Sequence, residues 1–307
     1  MTQDAGPAPG PGAVLVLGEA LIDLVPAPGE PGTYRAQPGG APANVADGLA
    51  RLGTPSWFAG ALGADAFART LEQRLVSAGV RLDLCARSPL PTALAVADPG
   101  PDGTGYHFHL RDTATFRIPA HATDVGLFGA VYVGGLAAVV EPAATAVAAT
   151  AAAAAEHSVL VVDPNVREDR GLDRASSLGM LRELCALAQV VKASDEDVAA
   201  LWPAADPDET CRELAAEGRL VVLTRGADGS TAYTGSGEPV SVPAVPVDVV
   251  NTIGAGDAFM AALLSRLAAG GAVPTGEAAR PMLEFAAEAA ASVVSASGTE
   301  ITLAARV

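Results

Sequence analysis

Apolar and polar positions follow two alternating rhythms along the chain. Short apolar runs at Ala13–Gly18, Val131–Gly134, Val159–Asp163, Val190–Lys192 and Leu220–Thr224 have the length of buried strands. Between and around them lie stretches of helical character: Ala43–Leu52, Ala64–Ala78, Pro142–His157, Ala175–Ala188 and Asp208–Gly218. Strand and helix taking turns predict a mostly parallel sheet covered by helices on both faces, an α/β domain. A small hairpin is expected from Gly229–Thr234 and Val240–Val242, and the closing helices from Ala258–Ala269 and Thr275–Ala296.

One region breaks the rhythm. From Arg81 to Arg117 the pattern is of short strands, Arg81–Cys85, Thr92–Asp98 and Tyr106–Arg111. The last has a period of two, with Tyr106, Phe108 and Leu110 on one face and His107, His109 and Arg111 on the other. The polar face is a candidate wall for a ligand cleft. The two histidines alone make no metal site, because the rest of a ligand set is missing.

Composition narrows the class. Half of the 307 residues are hydrophobic but only 4% are aromatic, so the core is built mostly from Ala, Val and Leu. The expected organisation is one main domain, residues 13–307, after a loose Gly/Pro-rich tail over residues 1–12. A net charge of −16 leaves no basic stripe for a nucleic-acid backbone. The longest small-residue run, Ala143–Ala155, is too short to span a bilayer. Cys85, Cys185 and Cys211 are odd in number and widely spaced, which fits a reducing compartment, and a cytoplasmic location is expected.

The chemistry concentrates in Val249–Phe259. Gly254 and Gly256 flank a single alanine, Asp257 follows, and a helical segment begins. A glycine turn opening a helix offers N–H donors that have no partner within the helix, together with the positive end of its dipole. That is a site for phosphate or developing negative charge, with Asp257 beside it as proton acceptor. Earlier, Gly39-Gly40-Ala41-Pro42-Ala43-Asn44 enters another helix, and Asp23 stands where a buried strand ends. Asp163, Asn165, Arg167, Lys192, Ser194, Asp197, Thr224 and Gly226 follow the carboxyl ends of strands, where open α/β sheets bind ligands.

Asn251-Thr252-Ile253-Gly254-Ala255-Gly256-Asp257-Ala258-Phe259 resembles the signature of the ribokinase-like (PfkB family) carbohydrate kinases, and Gly39–Ala46 resembles that family's N-terminal signature. Gly18-Glu19 with Asp23, Asp163-Pro164-Asn165 with Arg167, Lys192-Ala193-Ser194 and Thr224–Gly229 follow in family order. The resemblance implies a three-layer domain with a small β-sheet lid drawn from about 23–37 and 86–118, often a dimer interface. It implies transfer of phosphate from ATP, with Mg²⁺, to a sugar hydroxyl. Asp257 would be the base, and the amides of Gly254, Ala255 and Gly256 would hold the growing charge. Asp23, Gly39, Gly40, Asn44 and Arg167 would hold the sugar, with His109 and Arg111 pointing in from the lid. Lys192, Ser194, Thr224, Gly226 and Gly229 would line the nucleotide, and Asp197 would reach hydrated Mg²⁺.

Several positions depart from the family pattern. Asn251 stands where Asp, associated with a bound monovalent cation, is common, so little potassium activation is expected. Asp197 replaces a Glu, Ala287 an Asn near the adenine, and Ser295–Thr299 lacks an Arg before the final glycine. The leading expectation is a fructokinase-like kinase. The alternatives are a 2-keto-3-deoxygluconate kinase, with Arg111 and Arg167 clamping a carboxylate, and a non-catalytic sugar or nucleotide sensor.

Overall fold

The alternation of side chains along the first strand decides the architecture. In the computed structural model, which describes residues 8–27, 29–30, 32–100, 103–167, 171–235 and 237–303, strand β1 (Val14–Leu17) sends Val14 and Val16 into one core and Leu15 and Leu17 into another. A strand buried on both faces has to lie inside a doubly covered sheet.

The elements that follow are β2 (Leu21–Pro26), β3 (Tyr34–Gly39), α1 (Ala41–Arg51), β4 (Ser56–Ala59), β5 (Ala61–Leu62), α2 (Ala66–Ala78), β6 (Ala86–Arg87), β7 (Leu94–Gly100) and β8 (Gly103–His109). Then come β9 (Ala130–Gly134), α3 (Ala143–His157), β10 (Val159–Asp163), α4 (Arg174–Leu187), β11 (Val190–Ser194), α5 (Asp195–Leu201) and α6 (Pro207–Ala216). The chain closes with β12 (Leu220–Thr224), β13 (Ser230–Tyr233), β14 (Val240–Val242), α7 (Ala255–Gly270) and α8 (Arg280–Val294).

The main sheet has eight strands in the order β14-β13-β12-β11-β10-β9-β1-β4. It is parallel from β12 to β4, and β13 and β14 add an antiparallel edge. Helices α1, α2, α7 and α8 fill one core and α3 to α6 the other, giving three layers. Helix α7 is apolar nearly all round, as a helix enclosed between the sheet, α1 and α8 must be. A separate four-stranded sheet, order β3-β2-β7-β8, is joined to the carboxyl end of β1 by the short link of residues 18–20.

The structure corrects the expected elements in several places. Ser56–Ala59, not expected as a strand, is the buried edge strand β4. Arg81–Cys85 is not a strand: only Arg81 bridges to Trp57, and Arg81 and Asp83 pair with each other at 2.6 Å. Helix α7 starts at Ala255 rather than Ala258, and the last helix opens with a 3-10 turn over Gly276–Ala279. Asp65 is the N-cap of α2, accepting from Ala68 N at 2.7 Å, and also binds the Thr92 N–H at 2.7 Å, which ties the helix to the approach to β7. Residues 1–7 of the expected tail lie outside the described residues, while Pro11 and Gly12 form a turn packed on Gly129. No helix among the described residues is long and apolar enough to cross a membrane, and the three cysteines are unpaired.

Candidate active site

Helix α7 begins at the floor of a cavity, and its first turn explains the glycines. Gly254 is the N-cap at φ 83°, a left-handed conformation that a side chain resists, and a Cβ there would lie 3.0 Å from the Thr299 side chain. No side chain caps this end. The Ala255 N–H turns back to the Thr252 carbonyl at 3.3 Å, so the amide nitrogens left for an anion are those of its neighbours. Asp257 is the third residue of the helix. Its Oδ2 accepts a hydrogen bond from Asn44 Nδ2 at 2.8 Å.

Asn44 reaches it because the Gly39–Gly40 turn lets the chain pass from β3 into α1 at close quarters. A Cβ on Gly39 would sit 2.0 Å from Asp23 Oδ2, and one on Gly40, at φ 97°, 2.7 Å from the Glu19 carbonyl. Asp23, Gly40, Asn44 and Asp257 thereby line one cavity of about 620 Å³, with Tyr106 and Phe108 from β8 and Asn165, Arg167 and Lys192 from the strand ends. Tyr106 and Phe108 stack at 6.0 Å between ring centroids.

The electrostatics follow from packing several carboxylates together. Burial pushes Asp257 above the ordinary carboxylate range, against the pull of the Asn44 hydrogen bond, Arg167, Lys192 and Arg74. Burial and the Asp257 charge push Asp23 up to about 6, with Arg167 and Arg74 opposing. Beneath them Lys192 pairs with Asp163 at 2.9 Å, both almost fully buried. Burial would lower Lys192, but the charges of Asp163 and Asp197 outweigh it and keep the ammonium protonated. Glu19, 2% exposed, accepts the N–H groups of Leu136 and Ala137 at 3.1 and 3.0 Å, and burial lifts it to about 7.

A second cavity of about 570 Å³ opens on the other side of the same helix start. Its walls are mostly apolar, among them Val245, Val247, Phe259, Ala287 and Ala290, and Thr224, Gly226 and Gly229 also line it. Thr252 and Gly256 line both cavities. Two ligand-sized spaces, one polar and one apolar, therefore meet at the amides of a single turn.

The sequence matches the pfkB family carbohydrate kinase family over residues 12–306. The chain belongs to this family of carbohydrate kinases. A fructokinase of Klebsiella pneumoniae is 36% identical over 304 residues, 95% of this chain and 96% of the relative. The structure is similar to that of fructokinase from Vibrio cholerae O395 bound to fructose, ADP and calcium ion, with a TM-score of 0.82, 28% identity, and 94% and 95% of the two chains covered. It is also similar to a fructokinase from Xylella fastidiosa with bound ATP, with a TM-score of 0.80, 26% identity and 94% of each chain covered. The protein is an ATP-dependent sugar kinase of the fructokinase type.

Within this carbohydrate kinase the expected residues divide into those brought together and those that are not. Asp23, Gly40, Asn44, Arg167, Lys192, Ser194, Asp197, Gly254, Gly256 and Asp257 line the polar cavity. Gly39 and Ala255 lie in its two backbone turns, while Thr224, Gly226 and Gly229 line the apolar cavity. His109 and Arg111 do not point in: both are exposed, and the cavity takes Tyr106 and Phe108 from this strand instead. The period of two is as expected, but the apolar face is the one turned to the cavity, where Tyr106 and Phe108 are half-buried.

Asp197 also has a local task. Ser194 and Asp197 form a capping box on α5, and Asp197 Oδ1 accepts from Val166 N at 2.7 Å. Among the described residues no group of three or more metal-ligating side chains converges. Asp197 is buried beside its exposed neighbour Glu196, and both line the polar cavity. Asn251 closes a local turn, its Oδ1 accepting from Ile253 N at 3.0 Å. Three residues at the site lie outside the sequence motifs: Tyr106 and Phe108, whose alternation is visible in the sequence but not its facing, and Arg74.

Proposed function

We propose that the protein transfers the γ-phosphoryl group of ATP to a hydroxyl of fructose. The observation that carries this reading is the pair of cavities sharing Thr252 and Gly256 at one helix start, with Asp257 on the polar side. A hydrolase needs one such space; transfer between two bound molecules needs both. Asp23, Asn44 and the Gly39–Gly40 turn hold the sugar by hydrogen bonds, and Arg167 closes the far wall. Asp257 accepts the hydroxyl proton as the oxygen attacks. The N–H groups of Gly254 and Gly256, with the helix dipole, stabilise charge on the transferred group.

The nucleotide occupies the apolar cavity, its base against Val245, Val247 and Ala287 and its phosphates running past Gly226 and Thr224 towards Lys192 and Ser194. Asp197 would help to hold Mg²⁺, which would supply charge neutralisation to the phosphates. The sheet β3-β2-β7-β8 acts as a lid that excludes water, which would otherwise take the phosphoryl group. Tyr34, 45% exposed on edge strand β3, supports a homodimer through this sheet.

The carboxylate clamp of a 2-keto-3-deoxygluconate kinase loses support, since only Arg167 of its two arginines lines the cavity. A coupled ADP-release assay over a sugar panel tests the reading, with binding followed by calorimetry. Fructose is expected to give the highest kcat/KM. Tight sugar binding without sugar-dependent ADP release would instead mark a sensor.

A further inference from the structure

Arg74 lies outside every motif that led to the site, yet its guanidinium joins the parts of it. It projects from α2 with only 11% of its side chain exposed. Nη1 donates to the Pro38 carbonyl at 3.1 Å, one residue before the Gly39–Gly40 turn, and to Asn44 Oδ1 at 3.0 Å. Nη2 donates to Thr299 Oγ1 at 3.2 Å, and Thr299 is the residue packed against Gly254. Asp47, 1% exposed and held by Arg51 at 2.8 Å, anchors the guanidinium from below at 3.5 Å.

The consequence lies in the Asn44 amide. A guanidinium only donates and an ionised carboxylate only accepts. With its oxygen turned to Arg74, the amide must present its nitrogen to Asp257, and that is the observed bond of 2.8 Å. Without Arg74 the amide is free to flip or to follow solvent, and the carboxylate loses the contact that aims it.

We propose that Arg74 is a positioning residue for phosphoryl transfer, which orients Asn44 towards Asp257 and locks the end of lid strand β3 to the Gly254 turn. The proposal rests on the reading of Asp257 as the base. Arg74 does not touch the reacting atoms; it acts through Asn44. Its charge also faces Asp257 and Asp23, alongside Arg167 and Lys192, with Asp163 and the buried Tyr132 hydroxyl completing the charged and titratable surroundings.

The test uses the full chain, with fructose and MgATP varied in turn and ADP release followed. Arg74→Met is expected to lower kcat by about 10²-fold, the scale of a sub-ångström to ångström misplacement, while leaving KM for ATP unchanged. Added guanidinium ion should restore part of that loss. The acid limb of the pH profile should move to higher pH, because a cation that favours ionised Asp257 is gone. Arg74→Lys should return the acid limb but not kcat, since an ammonium cannot span Pro38 O and Asn44 Oδ1 as a fork does. The double variant Arg74→Met with Asn44→Ala should be no slower than the slower single variant, as for residues acting in series. Arg69→Ala, an exposed arginine on the same helix, serves as the control with unchanged rates.

Wild-type kcat and an unmoved acid limb in Arg74→Met would overturn the proposal, as would fully additive losses in the double variant. If Arg74→Met yields no folded protein by circular dichroism, Arg74→Lys decides: a lowered kcat at an unchanged thermal midpoint supports the role, and wild-type kcat removes it. Asp257→Asn is measured alongside. Wild-type-like turnover there removes the base itself, whereas an inactive Asp257→Asn beside a fully active Arg74→Met removes only the positioning role.

Discussion

The two cavities that meet at Gly256 are made in opposite ways. The polar one gathers Asp23 from β2, Asn44 from α1, Tyr106 from β8 and Asp257 from α7, residues spread over most of the chain. The apolar one is drawn from residues 224–294 alone. The first holds carboxylates that burial pushes upward, restrained by Arg74, Arg167 and Lys192. The second carries few polar side chains. On the proposed reading, chemistry resides on the side that needs long-range assembly, and the side built locally takes the nucleotide. Such a division predicts that changes on one side should leave the other side's ligand untouched.

The sharpest break in that division is at the shared turn. Gly254→Val puts a branched side chain at φ 83° against Thr299, which displaces the amides serving both cavities. We expect kcat to fall by at least ~10²-fold, the scale for losing an oxyanion donor, and steady-state ADP release reads it. Next is a stability effect confined to the polar side. Glu19 has a folded pKa raised from 4.5 to about 7, so the folded state holds its proton more tightly than the unfolded chain. Its contribution is complete below pH 4.5 and is lost as pH rises through about 7, roughly 3 kcal/mol in all. Urea denaturation at pH 5 and pH 8 should show this loss, and Glu19→Gln, neutral throughout, should flatten it. A stability that rises over that interval by Glu19's action would contradict the assignment.

Smaller effects test side against side. Tyr106→Ala should raise KM for sugar about tenfold, as expected for removing an aromatic wall, with KM for ATP unchanged. Ala290→Leu, which fills part of the apolar cavity, should raise KM for ATP by a few-fold and leave sugar affinity alone. Crossed effects in either variant would blur the division.

Much of this organisation was legible in the sequence for physical reasons. The parallel strands show as apolar runs because both faces are buried, and Gly254-Ala255-Gly256-Asp257 shows because a tight helix start tolerates few residues. The remainder depended on tertiary placement. Period two along Tyr106–Arg111 identifies a strand but not which face meets the cavity, and the cavity took the aromatic one. Ser56–Ala59 opens on a serine and carries no β-branched aliphatic residue, so it does not show as an apolar strand run until β1 pairs with it. Arg74, in an amphipathic helix, reads as part of a solvated face; only folding brings Pro38, Asn44 and Thr299 around it. Glu19 likewise gains its role from the Leu136 and Ala137 amides, more than a hundred residues away.

The central claim is that Asp257 is the base at the junction of a sugar site and a nucleotide site. The most direct measurement compares wild type and Asp257→Asn in fructose-dependent ADP release, with fructose binding followed by calorimetry. In Asp257→Asn kcat is expected to fall by at least ~10²-fold, the usual scale for a general base, with sugar affinity largely kept. Turnover close to wild type in Asp257→Asn would contradict it.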